Sequence, residues 1–109
     1  MNDRSTGNSA PLKVRTITVG KRLIALKQMI TAECIVRRNK GHDTVMFRFR
    51  HLRLRGKGST RPEAAADFDR RLHGLLDLLR DEPSEPQGIE LRDRLLEYVD
   101  PEEVLQAAQ

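Results

Sequence analysis

Three histidines, one cysteine and a glycine-lysine stretch are the first places to look for catalytic chemistry, and none has a catalytic spacing. His42, His51 and His73 lie far apart, outside any His-x-x-x-His, His-Glu-x-x-His or cysteine-rich ligand pattern. His42-Asp43 falls in a turn and His51 at a corner, where an imidazole is simply solvated. Cys34 reads as a small hydrophobe within a strand rather than a nucleophile. Metal-dependent nuclease chemistry would need carboxylates converging from a sheet. Only Glu33 and Asp43 are available there, because the other acids crowd the helices. Gly56-Lys57-Gly58-Ser59-Thr60 has a phosphate-loop flavour but lacks the Gly-x-x-x-x-Gly-Lys-Ser/Thr spacing. Its two glycines are expected to let a strand turn into a helix. The expectation is a protein that is not an enzyme and uses no cofactor and no metal.

The stronger chemical signal is basic. In TVMFRFRHLRLRGKG (44–58) apolar and cationic residues alternate, and the alternation slips by one partway along. Val45, Phe47 and Phe49 share one strand face, and Met46, Arg48 and Arg50 share the other. Leu52 and Leu54 have the wrong parity to continue the phenylalanine face. Because one face must stay buried, a bulge or tight corner is required near Arg50-His51. Arg53, Arg55 and Lys57 then return to the solvent face beside Arg48 and Arg50. Guanidinium forks suit this role, since they make bidentate contacts to carboxylates or phosphates while their stems pack on apolar surface.

The elements that must hold these side chains can be read from period and punctuation. TAECIVRR (31–38) is a strand, NKGHD (39–43) a turn in which Asn39 and Gly41 tolerate positive φ, and 44–50 the returning strand. Residues 13–30 stay open: Thr16–Val19 has strand composition and Val19-Gly20-Lys21 looks like a turn. Leu23, Leu26 and Ile30 have helical spacing, although the same residues could be extended. Thr60 caps a helix over 61–80, with Glu63 completing a Thr-x-x-Glu box and Pro62 in the first turn. Its apolar stripe is Ala65, Phe68, Leu72, Leu75, Leu76 and Leu79, with Asp67, Arg70, Arg71 and Asp77 opposite. Asp67 and Arg71 are spaced as an i,i+4 pair. DEPSEPQG (81–88) reads as a linker, and a shorter helix covers about 89–99. Asp100-Pro101-Glu102-Glu103 repeats the capping logic. The fold class is therefore α+β: a small antiparallel sheet of three to four strands, with one long capped helix and a shorter C-terminal helix on one face. Residues 1–12 read as a disordered tail, and 13–109 as a single domain.

At Gly58-Ser59-Thr60-Arg61-Pro62-Glu63-Ala64 the chain resembles the HicB-like antitoxin family, in which a hairpin and third strand run into a Gly-x-Thr-x-x-Glu-Ala turn and an amphipathic helix. The resemblance spans about residues 30–80. It implies a partial ribonuclease H-like fold and a protein that neutralises a small RNA-cleaving toxin by covering its active surface. Three features depart from the family. No DNA-binding module is recognisable after residue 80, the Arg50-His51-Leu52-Arg53 corner is basic, and residues 1–30 have no counterpart.

Composition bounds what remains. The chain has 109 residues, 38% apolar and 4% aromatic with no Trp, so its core is aliphatic and modest. No apolar run reaches the roughly 18 residues that suggest a membrane span, and MNDRSTGNSAP has no signal-peptide core. A lone Cys34 suits the cytoplasm. The net charge of +4 conceals a split: residues 1–58 carry 14 Lys/Arg against 3 Asp/Glu, and residues 59–109 carry 6 against 13. Such asymmetry points to a charged partner or to attraction between the halves. The expected site is the basic sheet face: Arg37, Met46, Arg48, Arg50, Arg53, Arg55 and Lys57, with Ile35 as an apolar member and Arg38 as a further cation. Its expected partner is a protein, such as a small basic toxin or nuclease, with the chain itself a dimer. The alternative is sequence-nonspecific nucleic-acid binding by the same arginines, which lack an aromatic platform for base stacking. A membrane partner is not expected.

Overall fold

A computed structural model describes residues 10–108. Their elements run β1 (Leu12–Val19), β2 (Arg22–Asn39), β3 (His42–Phe49), a 3₁₀ turn (Arg50–Leu52), β4 (Leu54–Gly58), α1 (Arg61–Leu75), α2 (Asp77–Arg80), α3 (Pro86–Leu95) and α4 (Pro101–Ala107). The strands form one antiparallel sheet in the order β1-β2-β3-β4, so the fold is α+β as the pattern predicts. β1 begins at Leu12, the last residue of the span expected as a tail; residues 1–9 of that span lie outside the described residues.

The described residues group into two compact units, one holding 10–13 with 31–72 and the other 14–30 with 73–108. In the first, the second half of β2 pairs with β3 in the register Cys34↔Phe47, Ile35↔Met46 and Val36↔Val45. β3 then pairs with β4 as Phe47↔Gly56, Met46↔Lys57 and Arg48↔Arg55. Phe47, Leu52, Ala64 and Phe68 have no solvent exposure, and Leu54 and Leu72 almost none. The expected phase change lies where the alternation slips: Arg50–Leu52 make one 3₁₀ turn, and Arg53 leaves it in the left-handed region at φ 53°. That corner brings both Leu52 and Leu54 inside.

Gly56 and Gly58 do not act as the turn into the helix. They sit within β4, on the face that α1 crosses. A Cβ on Gly56 would lie 2.4 Å from the Phe68 nitrogen and 2.6 Å from the Ala64 oxygen; one on Gly58 would lie 2.7 Å from the Ala64 nitrogen. The absence of side chains lets the helix backbone rest directly on the strand. The cap forms as read, with Thr60 Oγ1 accepting the Glu63 N–H at 3.3 Å. The Glu63 carboxylate reaches one residue further than expected and accepts the Ser59 N–H at 2.9 Å.

Three helix expectations are corrected. α1 stops at Leu75 rather than continuing to 80, and the Leu76 N–H turns back to the His73 carbonyl at 3.1 Å. Its buried line contains Ala64 rather than Ala65, and it includes Asp67, expected on the solvent side. The later helix spans Pro86–Leu95 and so begins inside the presumed linker, where Pro86 takes the first turn.

In the second unit, the stretch left open resolves as β1 and the first half of an 18-residue β2. Ile24 and Ile30 are buried while Leu23 is 70% exposed, so alternation wins over helical spacing. Gly20, at φ 62°, makes the β1–β2 turn. The segment after α3 closes on β2: the Lys27 N–H donates to the Tyr98 carbonyl at 2.7 Å, and Gln28 Nε2 to the Glu97 carbonyl at 3.2 Å. Ile17, Leu95 and Val99 form the fully buried centre. The Asp100 side chain caps α4 by accepting the Glu102 N–H at 3.0 Å.

Candidate functional site

Strand alternation and the register of β2, β3 and β4 determine which side chains meet on the outer face. Inward rows are Cys34–Phe47–Gly56 and Val36–Val45–Gly58; the outward rows between them are Ile35–Met46–Lys57 and Glu33–Arg48–Arg55, with Arg37 opposite Thr44. Ile35 and Met46 are therefore direct cross-strand neighbours, and both are half-buried. Together with Arg37, Thr44, Arg55 and Lys57 they line a shallow concavity of about 220 Å³. Its floor is apolar and its rim carries three cations.

A second concavity, of about 340 Å³, is lined by Arg48, Arg50, Arg53, Arg55 and Leu54. Four guanidinium side chains thus surround one hollow, and Arg55 belongs to both. Arg50 and Arg53 come from the 3₁₀ corner rather than from a strand, so the phase slip itself places them here. Arg48 is held across the sheet by Glu33, with Nε 2.8 Å from Oε1.

All seven residues expected at the site lie on this unit, divided between the two hollows. Arg37, Met46 and Lys57 line the first, Arg48, Arg50 and Arg53 the second, and Arg55 joins them. Arg38, the further cation, has the opposite parity and stands opposite Asp43 in the strand register near the hairpin end. The reading from alternation missed Glu33 and Thr44, which enter only once the register is known. The parity of Glu33 was visible, but its place opposite Arg48 was not.

Two of the main-chain donors that could have made 56–60 a phosphate cradle are already engaged. The Lys57 N–H goes to Asp67 Oδ2 at 2.9 Å, and the Ser59 N–H to Glu63. Asp67 also pairs with Arg70 and, at 3.1 Å, with Arg71. These bonds, first that from Lys57 and then that from Arg71, hold its carboxyl below the ordinary 3.8 against the opposing effect of burial. Arg61, at the start of α1, stands 4.9 Å from the centre of the Phe47 ring and donates to the Ala10 carbonyl at 2.8 Å. Among the described residues, no three His, Cys, Asp or Glu side chains form a group able to hold a metal ion. No helix among them is long and apolar enough to cross a membrane.

No family model matches the chain, and no curated protein or solved structure matches it either.

Proposed function

We propose that this chain is a non-catalytic binding module that docks an acidic protein surface onto the outer face of β2, β3 and β4. The observation that carries the reading is the Ile35–Met46 pair, an apolar centre rimmed by Arg37, Arg55 and Lys57. Protein interfaces combine a desolvated apolar anchor with a polar rim, and arginine is enriched in them. A purely electrostatic surface has no use for the two aliphatic side chains. The resemblance of residues 58–64 to HicB-like antitoxins supports the same class of activity, occlusion of a partner such as a small ribonuclease toxin. The sign of the rim requires carboxylates on the part of that partner that docks, even where the toxin is basic overall.

The test is affinity capture from the native host with wild-type protein and Met46→Glu, followed by titration of the purified captured protein. The expected result is a loss of at least about tenfold in affinity for the variant, the effect of removing an interface anchor. Equal affinities for wild type and variant would overturn the reading.

The hollow between Arg48, Arg50, Arg53 and Arg55 favours a second reading, in which the corner follows a nucleic-acid backbone. If four to six cations met phosphates, the log–log salt slope would be roughly −3 to −5 with generic RNA or duplex DNA. A flat salt response, or no binding at low salt, excludes it.

A further inference from the structure

We infer that the docking face of one copy takes the exposed acidic face of α3 from a second copy. This rests on the reading of the β2–β4 face as a protein-docking surface and names an occupant for it. Four large apolar side chains among the described residues are notably exposed: Leu23, Met29, Ile89 and Leu105. Of these, Ile89, at 45% exposure, stands in an acidic setting on α3. Helical spacing puts Glu85 four residues before it and Asp93 four after it, with Glu90 adjacent, and all three are exposed. Arg94 pairs with Glu90 at 3.3 Å from further round the helix and is only partly exposed, and Arg92 is also half-buried. The solvent side of α3 is thus an apolar knob flanked by carboxylates.

The β2–β4 face is its chemical inverse. Ile35 and Met46 floor a hollow of about 220 Å³, large enough for an aliphatic side chain, and Arg37, Arg55 and Lys57 rim it. Among the described residues the rim cations Arg37, Arg55 and Lys57 and the knob of Ile89 are exposed, while Ile35 and Met46 are half-buried at the floor of the hollow. The charge split between residues 1–58 and 59–109 therefore has a local expression: an apolar centre of each sign of rim, complementary in size and charge. An interface of this small extent belongs to the weak, reversible class, so self-association would yield the face to a tighter partner.

The experiment is sedimentation of the full chain over a concentration series at low and high salt, for wild type, Arg55→Glu, Glu90→Arg and an equimolar mixture of the two variants. Wild type is expected to associate reversibly, weakening about tenfold or more when salt screens the rim. Each variant alone should associate at least about tenfold more weakly, because a like-charge contact replaces an attractive one. The mixture should recover association, since the reversed charges then meet. Circular dichroism of each variant establishes that it is folded. Monomeric wild type at every concentration, association indifferent to both variants, or a mixture no better than its components would overturn the inference. The docking reading is judged separately by the Met46→Glu titration. Monomeric wild type with a Met46-sensitive partner overturns self-association alone; association that ignores Arg55 and Glu90, with a Met46-indifferent partner, overturns both.

Discussion

The carboxylate of Asp67, in the second turn of α1, accepts the main-chain N–H of Lys57 at 2.9 Å on the outer edge of β4. β4 ends the strand order, so this donor has no neighbouring strand to meet. An exposed edge invites unwanted strand pairing, and a helix side chain placed over it blocks that pairing at one position. Asp67 is 8% exposed, yet the Lys57 N–H first, and then Arg71 and Arg70 from the next turn, favour its charged form. The same bond keeps α1 seated above the two glycines and so fixes the strand whose other face carries Arg55 and Lys57.

This arrangement sets a pH dependence with a definite sign. The folded-state pKa of Asp67 lies below 3.8, so its contribution to stability is fully present above that value and fades as pH falls through the lowered folded value. Asp67→Asn should be less stable than wild type at about pH 7, and the gap should narrow as the wild-type carboxylate protonates in acid. Thermal midpoints of both proteins from neutral to strongly acidic pH check this. A gap independent of pH would show that the carboxylate is not held in its charged form.

Gly56 and Gly74 should respond to alanine with opposite signs. At Gly56 the new Cβ meets α1 backbone at 2.4 Å, and neither side can yield without unseating the helix. The expected loss is about 1–3 kcal/mol or more. At Gly74, within α1, nothing lies within 4 Å of the new Cβ. There alanine should stabilise by about 0.5–1 kcal/mol through helix propensity. Urea unfolding of the two variants beside wild type gives both numbers; a tolerated Gly56→Ala would mean that α1 does not rest on β4.

Alternation made the site's strands legible, and the slip at Arg50-His51 correctly announced a corner, because burying Leu52 and Leu54 admits no other solution. The capped start of α1 was equally plain in Thr60, Pro62 and Glu63. Residues 22–30 were not, since Leu23, Leu26 and Ile30 fit a helix while Ile24, Leu26 and Ile30 fit a strand. Gln28 breaks the inward apolar series, and what it answers is a distant carbonyl, that of Glu97. Asp67 was misplaced for the same kind of reason: composition puts a carboxylate on the solvent side, and only the register of β4 brings an edge N–H to it. His73 likewise finds its partner, the Thr18 carbonyl at 2.6 Å, 55 residues away in sequence. Local periodicity gives faces; it does not give long-range polar partners.

The pair that ties Arg48 to Glu33 should matter little for stability. Their side chains are 29% and 51% exposed, and exposed ion pairs contribute little after side-chain entropy and screening. A double-mutant cycle with Arg48→Met and Glu33→Gln should give a coupling of about 0.2–1 kcal/mol, shrinking with salt. A coupling of several kcal/mol would assign Arg48 to the scaffold instead of the surface.

Stability and binding should move in opposite directions at Arg53: its replacement by glycine should stabilise the fold while weakening the face. At φ 53° it occupies the left-handed region, and its N–H closes the corner onto the Arg50 carbonyl at 3.0 Å. A side chain in that conformation costs about 1–2 kcal/mol relative to glycine. Glycine gives back about 0.4–1 kcal/mol of that through the greater freedom of its unfolded chain. The net expectation for Arg53→Gly is a gain of roughly 0.5–1 kcal/mol in urea unfolding. The same variant removes one of the four guanidinium groups around the hollow shared by Arg48, Arg50 and Arg55. Anion affinity at that corner, followed by titration with a short oligonucleotide at low salt, should therefore fall as stability rises. If both fell together, the Arg53 side chain would be supporting the corner, and the left-handed backbone would be no cost to it.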